Sequence, residues 1–256
     1  MSNKILYEHP LNERIRTFMR LEYLFQQAGH HLQGNSVWDS RATLNCIQDI
    51  VAIFGNTNLK SEVLKELERN AGSLKRLQQN PDVDSTQLSV LLKKISDRMD
   101  AMHNINGQVA SELKTSEFLL SIRQRSSIPG GVCDFDLPAY HYWLQQPAST
   151  RNRDLAHWLS NFNAIGQSIQ LLLQLIRDST LLKPARANEG VFQAHLDANL
   201  PYQLIRIALP TGVPYFAELS GGRHRFTARF LEFSTVEERD RQTRKDVDFE
   251  LACCMI

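Results

Sequence analysis

The hydrophobic period of the chain changes near residue 180, and this change constrains the fold more than any other feature. From Pro10 to about Thr180 apolar residues recur at spacings of three and four, as in LNERIRTFMRLEYLFQQA, which is typical of amphipathic helices. Beyond Thr180 the segments are short, aromatic and β-branched, they partly alternate, and Gly, Pro and Asn separate them. The sequence therefore predicts an α+β protein, with a mostly α-helical bundle domain over 1–182 and a small antiparallel β-sheet domain over 183–256.

Composition and charge narrow the class of protein. The chain has 256 residues, 42% of them hydrophobic and 22% charged, which is enough to bury one large core or two modest ones. A formal net charge of +1 gives no global field that would favour nucleic acid or an anionic membrane. Four cysteines form no CxxC pair, no segment reads as a signal peptide and no apolar run approaches a membrane span. We expect a cytoplasmic protein with free thiols.

One segment, RQRSSIPGGVCDFDLPAYHYWL (123–144), carries side chains that could do chemistry. Within nine residues it places Cys133, Asp134, Asp136 and His141. A Pro-Gly-Gly turn precedes a strand-like stretch near 132–137 that could join the β unit. In a strand, Cys133 would share an apolar face with Phe135 and Leu137, and the aspartates would point away from it. We therefore favour a structural role over the alternative, a thiol- or metal-dependent hydrolase centred on Cys133 and His141.

A second segment, RHRFTARFLEF (223–233), concentrates positive charge. Period-two alternation places Arg223, Arg225, Thr227 and Arg229 on one face, opposite His224, Phe226, Ala228 and Phe230. The phenylalanines make their face the core side, so the arginines are predicted to form an outward stripe. The stripe has three interpretations: a solvated face with cross-strand ion pairs, a docking site for an acidic peptide, or a nucleic-acid contact. The third is weakest, because the face has no aromatic stacking residue and the chain is nearly neutral.

Motifs of the common enzyme classes do not occur in the sequence. We find no GxxxxGK[ST], GxGxxG, HExxH or GxSxG, so nucleotide hydrolysis and the common hydrolase chemistries lack support. The ending CCMI is not read as a prenylation box, because Cys254 stands where an aliphatic residue is needed and FELACC reads as a strand. We expect no cofactor, no metal and no lipid anchor.

Four stretches together carry a family resemblance. They are ILYEHPLNERIRTFMRLEYLFQQ, VLKELER, RQRSSIPGGVCDFDLPAYHYWL and DFELACC. In this order and spacing the chain resembles, from end to end, the ZapD family of bacterial Z-ring-associated cell-division proteins. The resemblance implies a cytoplasmic non-enzyme at the midcell division site, a homodimer built from a helical domain and a β-strand domain, with neither nucleic acid nor membrane as partner.

The same resemblance implies a partner and a site. ZapD-like proteins bind the C-terminal tail of FtsZ, a tubulin-like GTPase, and bundle its protofilaments, which stabilises the Z-ring and lowers the GTPase activity of FtsZ. The family's basic tail pocket falls on RFTARF, giving Arg225 and Arg229. We add Arg223 and Lys60 as further cations of the tail site. A last group, for which a dimer contact and a domain-junction contact both remain open, lies in strongly matching segments: Arg16, Arg20 and His141.

Overall fold

After an N-terminal strand that was not predicted, helices and then strands follow in the predicted order along the chain. The computed structural model describes residues 3–56, 58–79, 81, 83–105, 107, 109–233 and 240–256. Its helices are α1 (Glu13–Leu32), α2 (Val37–Asn56), α3 (Leu59–Leu77), α4 (Ser85–His103), α5 (Ser111–Thr115), α6 (Glu117–Ser126), α7 (Pro138–Leu144), α8 (Ala148–Ser160) and α9 (Asn163–Asp178). Its strands are β1 (Lys4–Pro10), β2 (Lys183–Ala187), β3 (Val191–His195), β4 (Tyr202–Pro210), β5 (Tyr215–Gly222), β6 (Arg225–Glu232), β7 (Arg241–Gln242) and β8 (Val247–Met255). The predicted α+β class is confirmed.

The chain divides into two compact units. One, the helical unit, is Met19–Leu171. The other, the β unit, combines Met1–Phe18 with Leu172–Ile256. The β unit includes β1, a strand that sequence reasoning placed inside the predicted helical domain at 1–182. The division at residue 182 stays a prediction about domain boundaries.

In the helical unit, apolar residues at helical spacing are buried as their pattern predicts. Helix α2 buries Leu44, Ile47, Ile50 and Val51, at the spacings of three and four that line one helix face.

A helix cap and an aromatic cluster hold other helices of this unit. Asp84 caps α4, where its side chain accepts from the backbone N–H of Thr86 and Gln87. A cluster of four aromatic rings, with centroids 5.8–6.2 Å apart, joins α6, α7 and α8: Phe118, Tyr140, Trp143 and Trp158.

A buried arginine connects three parts of the helical unit. Arg151 on α8 is 5% exposed. Its Nε donates to Ser40 Oγ on α2 at 2.9 Å, and its Nη2 donates to the Asn35 carbonyl at 2.8 Å. Its Nη1 donates to the carbonyls of Leu144, at 3.2 Å, and Gln146. The guanidinium therefore donates to three carbonyls and a hydroxyl from the interior of the unit, where a buried charge needs such partners.

The β unit is a sandwich of two antiparallel sheets. The first sheet has the order β1-β4-β8-β2, and the second has β3-β6-β5, with β7 also pairing with β6. Phe230 of the second sheet meets Phe249 of the first, with ring centroids 5.0 Å apart. One core cluster contains side chains from both sheets: Ala187, Ile207, Leu209, Ala217, Ala228, Phe230, Val247 and Phe249. The inner faces of the sheets therefore form one apolar core.

An ion-pair network lies on the outer side of the first sheet. Glu8 on β1 accepts hydrogen bonds from Arg206 Nε on β4, at 3.0 Å, and from Arg177 on α9, at 3.0 and 2.8 Å. Arg206 Nη1 also donates to the Arg177 carbonyl at 3.0 Å. All three side chains are mostly buried, so this network attaches the end of α9 to the sheet.

The predicted strand near 132–137 is wrong. These residues form a series of turns with local hydrogen bonds, Gly131 N to Ile128 O, Cys133 N to Gly130 O and Leu137 N to Cys133 O. Gly130 has a φ of +72°, which takes the chain out of an extended path. Phe135 is 81% exposed, so the apolar face that alternation assigned to it does not form.

The first testable prediction concerns the buried arginine. Replacing Arg151 with Met keeps much of its volume but leaves the carbonyls of Asn35, Leu144 and Gln146 without their donor. We expect the free energy of unfolding to fall by about 2–4 kcal/mol, measured by urea denaturation. The control is R153M, on the same helix, whose side chain is 74% exposed and pairs with the adjacent Asp154. A loss of similar size in both variants would contradict this role for Arg151.

Candidate functional site

The outer face of the second sheet carries the predicted arginines. Phe226 and Phe230 of β6 are buried at 2% and 0% exposure, whereas Arg225 and Arg229 are exposed. Successive side chains of a strand point to opposite faces, so packing of the phenylalanines turns both guanidinium groups outward. We call this surface the β6 face, defined by Arg225, Thr227, Arg229 and their cross-strand neighbours.

Arg223 does not continue the stripe, because β6 begins only at Arg225. Gly222 pairs with Arg225, so Arg223 and His224 form the two-residue loop between β5 and β6. The His224 carbonyl accepts a hydrogen bond from Leu196 N–H at 2.9 Å, which holds the loop. Gly221 permits the close approach, since a Cβ there would lie 2.6 Å from Cβ of Phe226. The predicted three-arginine strand face is therefore corrected to two arginines plus one in the loop.

Cross-strand neighbours add polar groups to the β6 face. Arg225 lies opposite His195 on β3, and Thr227 lies between Gln193 on β3 and Ser220 on β5. A cleft of about 400 Å³ occurs at this end of the face, and it is lined by Gln193, Ala194, His195, Ser220, Gly221, Arg225, Phe226 and Thr227. Cationic and hydroxyl donors thus surround a space that fits a carboxylate.

The two arginines differ in their surroundings. Arg229 Nη1 lies 3.5 Å from Glu218 Oε2, and its Nε donates to Gln242 Oε1 at 3.4 Å. Arg225 has no carboxylate within ion-pair distance among the residues that the structure describes. The cross-strand ion pair that sequence reasoning kept as an alternative is therefore present at Arg229, and the described residues place none at Arg225.

The turn before β3 fixes the opposite end of the face. Asp246 accepts from Glu189 N–H and from Arg186 Nη2, both at 3.0 Å, and these bonds hold the pKa of its carboxyl below its usual value. Glu189 and Gly190 both have positive φ. The Gly190 carbonyl accepts from Phe230 N–H at 2.8 Å, on β6 next to Arg229. This turn therefore sets the backbone position beside Arg229.

The other predicted site residues lie elsewhere in the chain. Lys60 belongs to α3 of the helical unit, where its Nζ donates to the Ile105 carbonyl at 2.7 Å. Arg16 pairs with Glu13 at 3.1 Å on α1, Arg20 is exposed further along that helix, and His141 is exposed on α7. Their roles in tail binding, in a dimer contact or in a domain junction stay predictions.

The residues of the hydrolase alternative do not assemble a reactive site. Cys133 is half-buried in its turn, and no hydrogen bond joins it to His141 within the described stretch 109–233. Asp136 pairs instead with Arg125 at 3.5 Å. No group of three or more His, Cys, Asp or Glu side chains fit to hold a metal ion occurs in the part of the chain that the structure describes. The geometry therefore offers this alternative no support.

His195 and Glu218 are neighbours of the arginines that sequence reasoning missed. Alternation in GVFQAHL would have placed His195 on one face with Val191 and Gln193, but it could not show which strand lay beside them. That information comes only from the register, which pairs His195 with Arg225 and Glu218 with Arg229.

Comparison with known proteins identifies the family of the chain. A family model described as "ZapD: Cell division protein" matches residues 19–229 of the chain. The chain belongs to the ZapD family. The resemblance predicted from the four sequence stretches is confirmed, and membership of this family supports a role in cell division.

Curated ZapD proteins match over nearly their whole length. The cell division protein ZapD of Methylococcus capsulatus is 43% identical over 256 residues, 100% of each chain. The ZapD protein of Klebsiella pneumoniae is 35% identical over 261 residues, which cover 99% of this chain and 100% of the relative. That of Chromobacterium violaceum is 34% identical over 250 residues, which cover 98% of this chain and 99% of the relative. Among the described helices of this family member, none combines the length and apolar character that a membrane span needs.

The second prediction concerns the turn that positions the β6 face. A Cβ at Gly190 would lie 2.3 Å from the Thr243 carbonyl oxygen, and φ there is +73°. We expect Gly190→Ala to lower the free energy of unfolding by about 2–4 kcal/mol in urea denaturation. Gly212→Ala is the matched control, because its φ is +86° but its Cβ would meet nothing within 4 Å. Equal losses would show that the close approach to Thr243 contributes nothing.

Proposed function

We propose that this ZapD-family protein binds the C-terminal tail of FtsZ through the β6 face and cross-links FtsZ protofilaments into bundles. The observation that carries the proposal is the exposure of Arg225 and Arg229 on one side of a strand whose other side is buried. Family membership supports the same partner class, because the ZapD resemblance implied FtsZ as the partner.

The chemistry of the β6 face suits an acidic peptide. A guanidinium presents N–H donors in a planar fork that matches a carboxylate, and Arg225 has no internal carboxylate partner in the described residues. Ser220, Thr227 and His195 line the adjacent cleft and supply further polar contacts. Such an exposed contact is weak by itself and sensitive to salt.

Bundling requires more than one tail site in each particle. A twofold homodimer would present two β6 faces, so that it could join two filaments rather than decorate one. A polymer displays many tails, and the effective concentration of the second tail compensates for weak single contacts. On this proposal the protein is a cytoplasmic, non-enzymatic homodimer that acts at the midcell Z-ring, stabilises it, and lowers the GTPase activity of FtsZ by holding filaments together.

The third prediction tests the site by charge reversal. The double variant R225E/R229E should lose tail affinity by about tenfold or more, because two attractive contacts become repulsive. The measurement is co-sedimentation with polymerised FtsZ, with and without the FtsZ tail, together with anisotropy of a labelled tail peptide. Circular dichroism should show an unchanged fold, since both side chains are exposed.

The matched control is K93E/K94E, which reverses two exposed charges on α4 and alters the net charge by the same amount. It should bundle FtsZ as the wild type does. Unchanged bundling by a folded R225E/R229E variant would remove the β6 face as the tail site. Bundling of FtsZ that lacks its tail would remove the tail as the ligand.

The fourth prediction separates this function from the hydrolase alternative. Cys133→Ser removes the thiol on which a Cys133/His141 mechanism would depend. Because the thiol is half-buried in a turn of the helical unit and not on the β6 face, we expect bundling and tail affinity to stay within twofold of the wild type. Loss of FtsZ bundling in a folded C133S variant would contradict the proposal.

A further inference from the structure

Glu218 forms an ion pair with Arg229, one of the two arginines that the tail would need. It lies on β5 directly opposite Arg229 in the β5–β6 register, on the exposed side of the sheet. Its Oε2 is 3.5 Å from Arg229 Nη1, and the side chains are 56% and 48% exposed. Directly opposite residues of antiparallel strands are close enough to pair, so the register itself maintains this contact.

Gln242 is a second acceptor for the Arg229 guanidinium, on its Nε side. Arg229 Nε donates to Gln242 Oε1 at 3.4 Å, and Gln242 Nε2 in turn donates to the Glu189 carbonyl at 3.0 Å. A two-pronged carboxylate contact uses either Nε with one terminal nitrogen or both terminal nitrogens. At Arg229, a carboxylate that uses Nε would compete with Gln242, and one that uses both terminal nitrogens would compete with Glu218.

Within the described ranges of the chain, no carboxylate competes for Arg225. Its cross-strand neighbours are Gly222, which has no side chain, and His195, which carries no negative charge. The cleft beside it is lined by amide, hydroxyl and imidazole groups and by no carboxylate. The two arginines of the β6 face therefore offer unequal access to an incoming anion.

We infer that Glu218 competes with the acidic peptide for Arg229. The peptide therefore binds Arg225 first, and it binds Arg229 only through a carboxylate that displaces Glu218. This inference rests on the proposed tail binding and deepens it. The Glu218–Arg229 pair is exposed and longer than a strong charge-assisted bond, so a peptide carboxylate brought close by the Arg225 contact can displace it.

The competitor also sets which peptides bind well. Arg225 and Arg229 are four residues apart on one strand, so their side chains emerge roughly 13 Å apart. An extended peptide with two carboxylates at that separation uses both arginines, whereas a peptide with one carboxylate gains little from Arg229. Glu218 therefore lowers the affinity of doubly acidic segments, which must displace it, more than that of singly acidic segments, which bind Arg225 alone.

The fifth prediction removes the competitor without changing its shape. E218Q should bind a labelled FtsZ tail peptide roughly two- to fivefold more tightly than the wild type at low ionic strength, because the loss of an exposed ion pair frees Arg229. In an R229Q background the same E218Q substitution should give no gain, because the freed group is absent. The control E68Q removes an exposed carboxylate of α3 and changes the net charge equally, and it should leave the affinity unchanged.

The outcomes separate the inference from the proposed function. If the wild type binds the tail and R225Q weakens binding, but E218Q binds equally or less well, the competitor role is overturned and the tail site stands. If E218Q also raises tail affinity in the R229Q background, the gain is a general charge effect, and the competitor role is likewise overturned. If neither the wild type nor E218Q binds the peptide, tail binding fails, and the inference fails with it. Thermal melts of each variant establish that the β unit is folded.

Discussion

The packing of Phe226 and Phe230 between the two sheets is the interaction on which the candidate site depends. Phe230 contacts Phe249 at a centroid distance of 5.0 Å, and Phe192 lies 6.0 Å from Phe226. Burial of each phenylalanine is worth about 2–3 kcal/mol, which exceeds what an exposed arginine contributes to stability. The core therefore fixes the orientation of β6, and the exposure of Arg225 and Arg229 follows from it.

Periodicity predicted the fold class because both patterns reflect burial. The helical unit buries residues at spacings of three and four, and the β unit buries alternate residues of β6 and β8. The same reasoning failed at 132–137, where a short run of mixed residues resembles a strand but no partner strand pairs with it. A strand needs a neighbour for its backbone hydrogen bonds, and here the turns satisfy them locally.

Two other features could not be read from local sequence. Strand β1 pairs with β4 across about 200 residues of chain, from Lys4 with Pro210 to Pro10 with Leu204, and its seven residues alternate too little to mark it. Likewise, His195 and Glu218 become neighbours of the arginines only through register between strands. Sequence reasoning identified Arg225 and Arg229 from their own strand, whereas their polar neighbours lie on adjacent strands.

The loop between β5 and β6 has a consequence for the entropy of binding. The pairing of Gly222 with Arg225 and the hydrogen bond from Leu196 N–H to the His224 carbonyl fix the backbone next to Arg225. A ligand that reaches Arg225 then orders one side chain, not a loop, at an entropic cost of about 1 kcal/mol. Most of the conformational entropy lost on association is therefore that of the peptide, and stiffening the peptide would strengthen binding more than stiffening the protein.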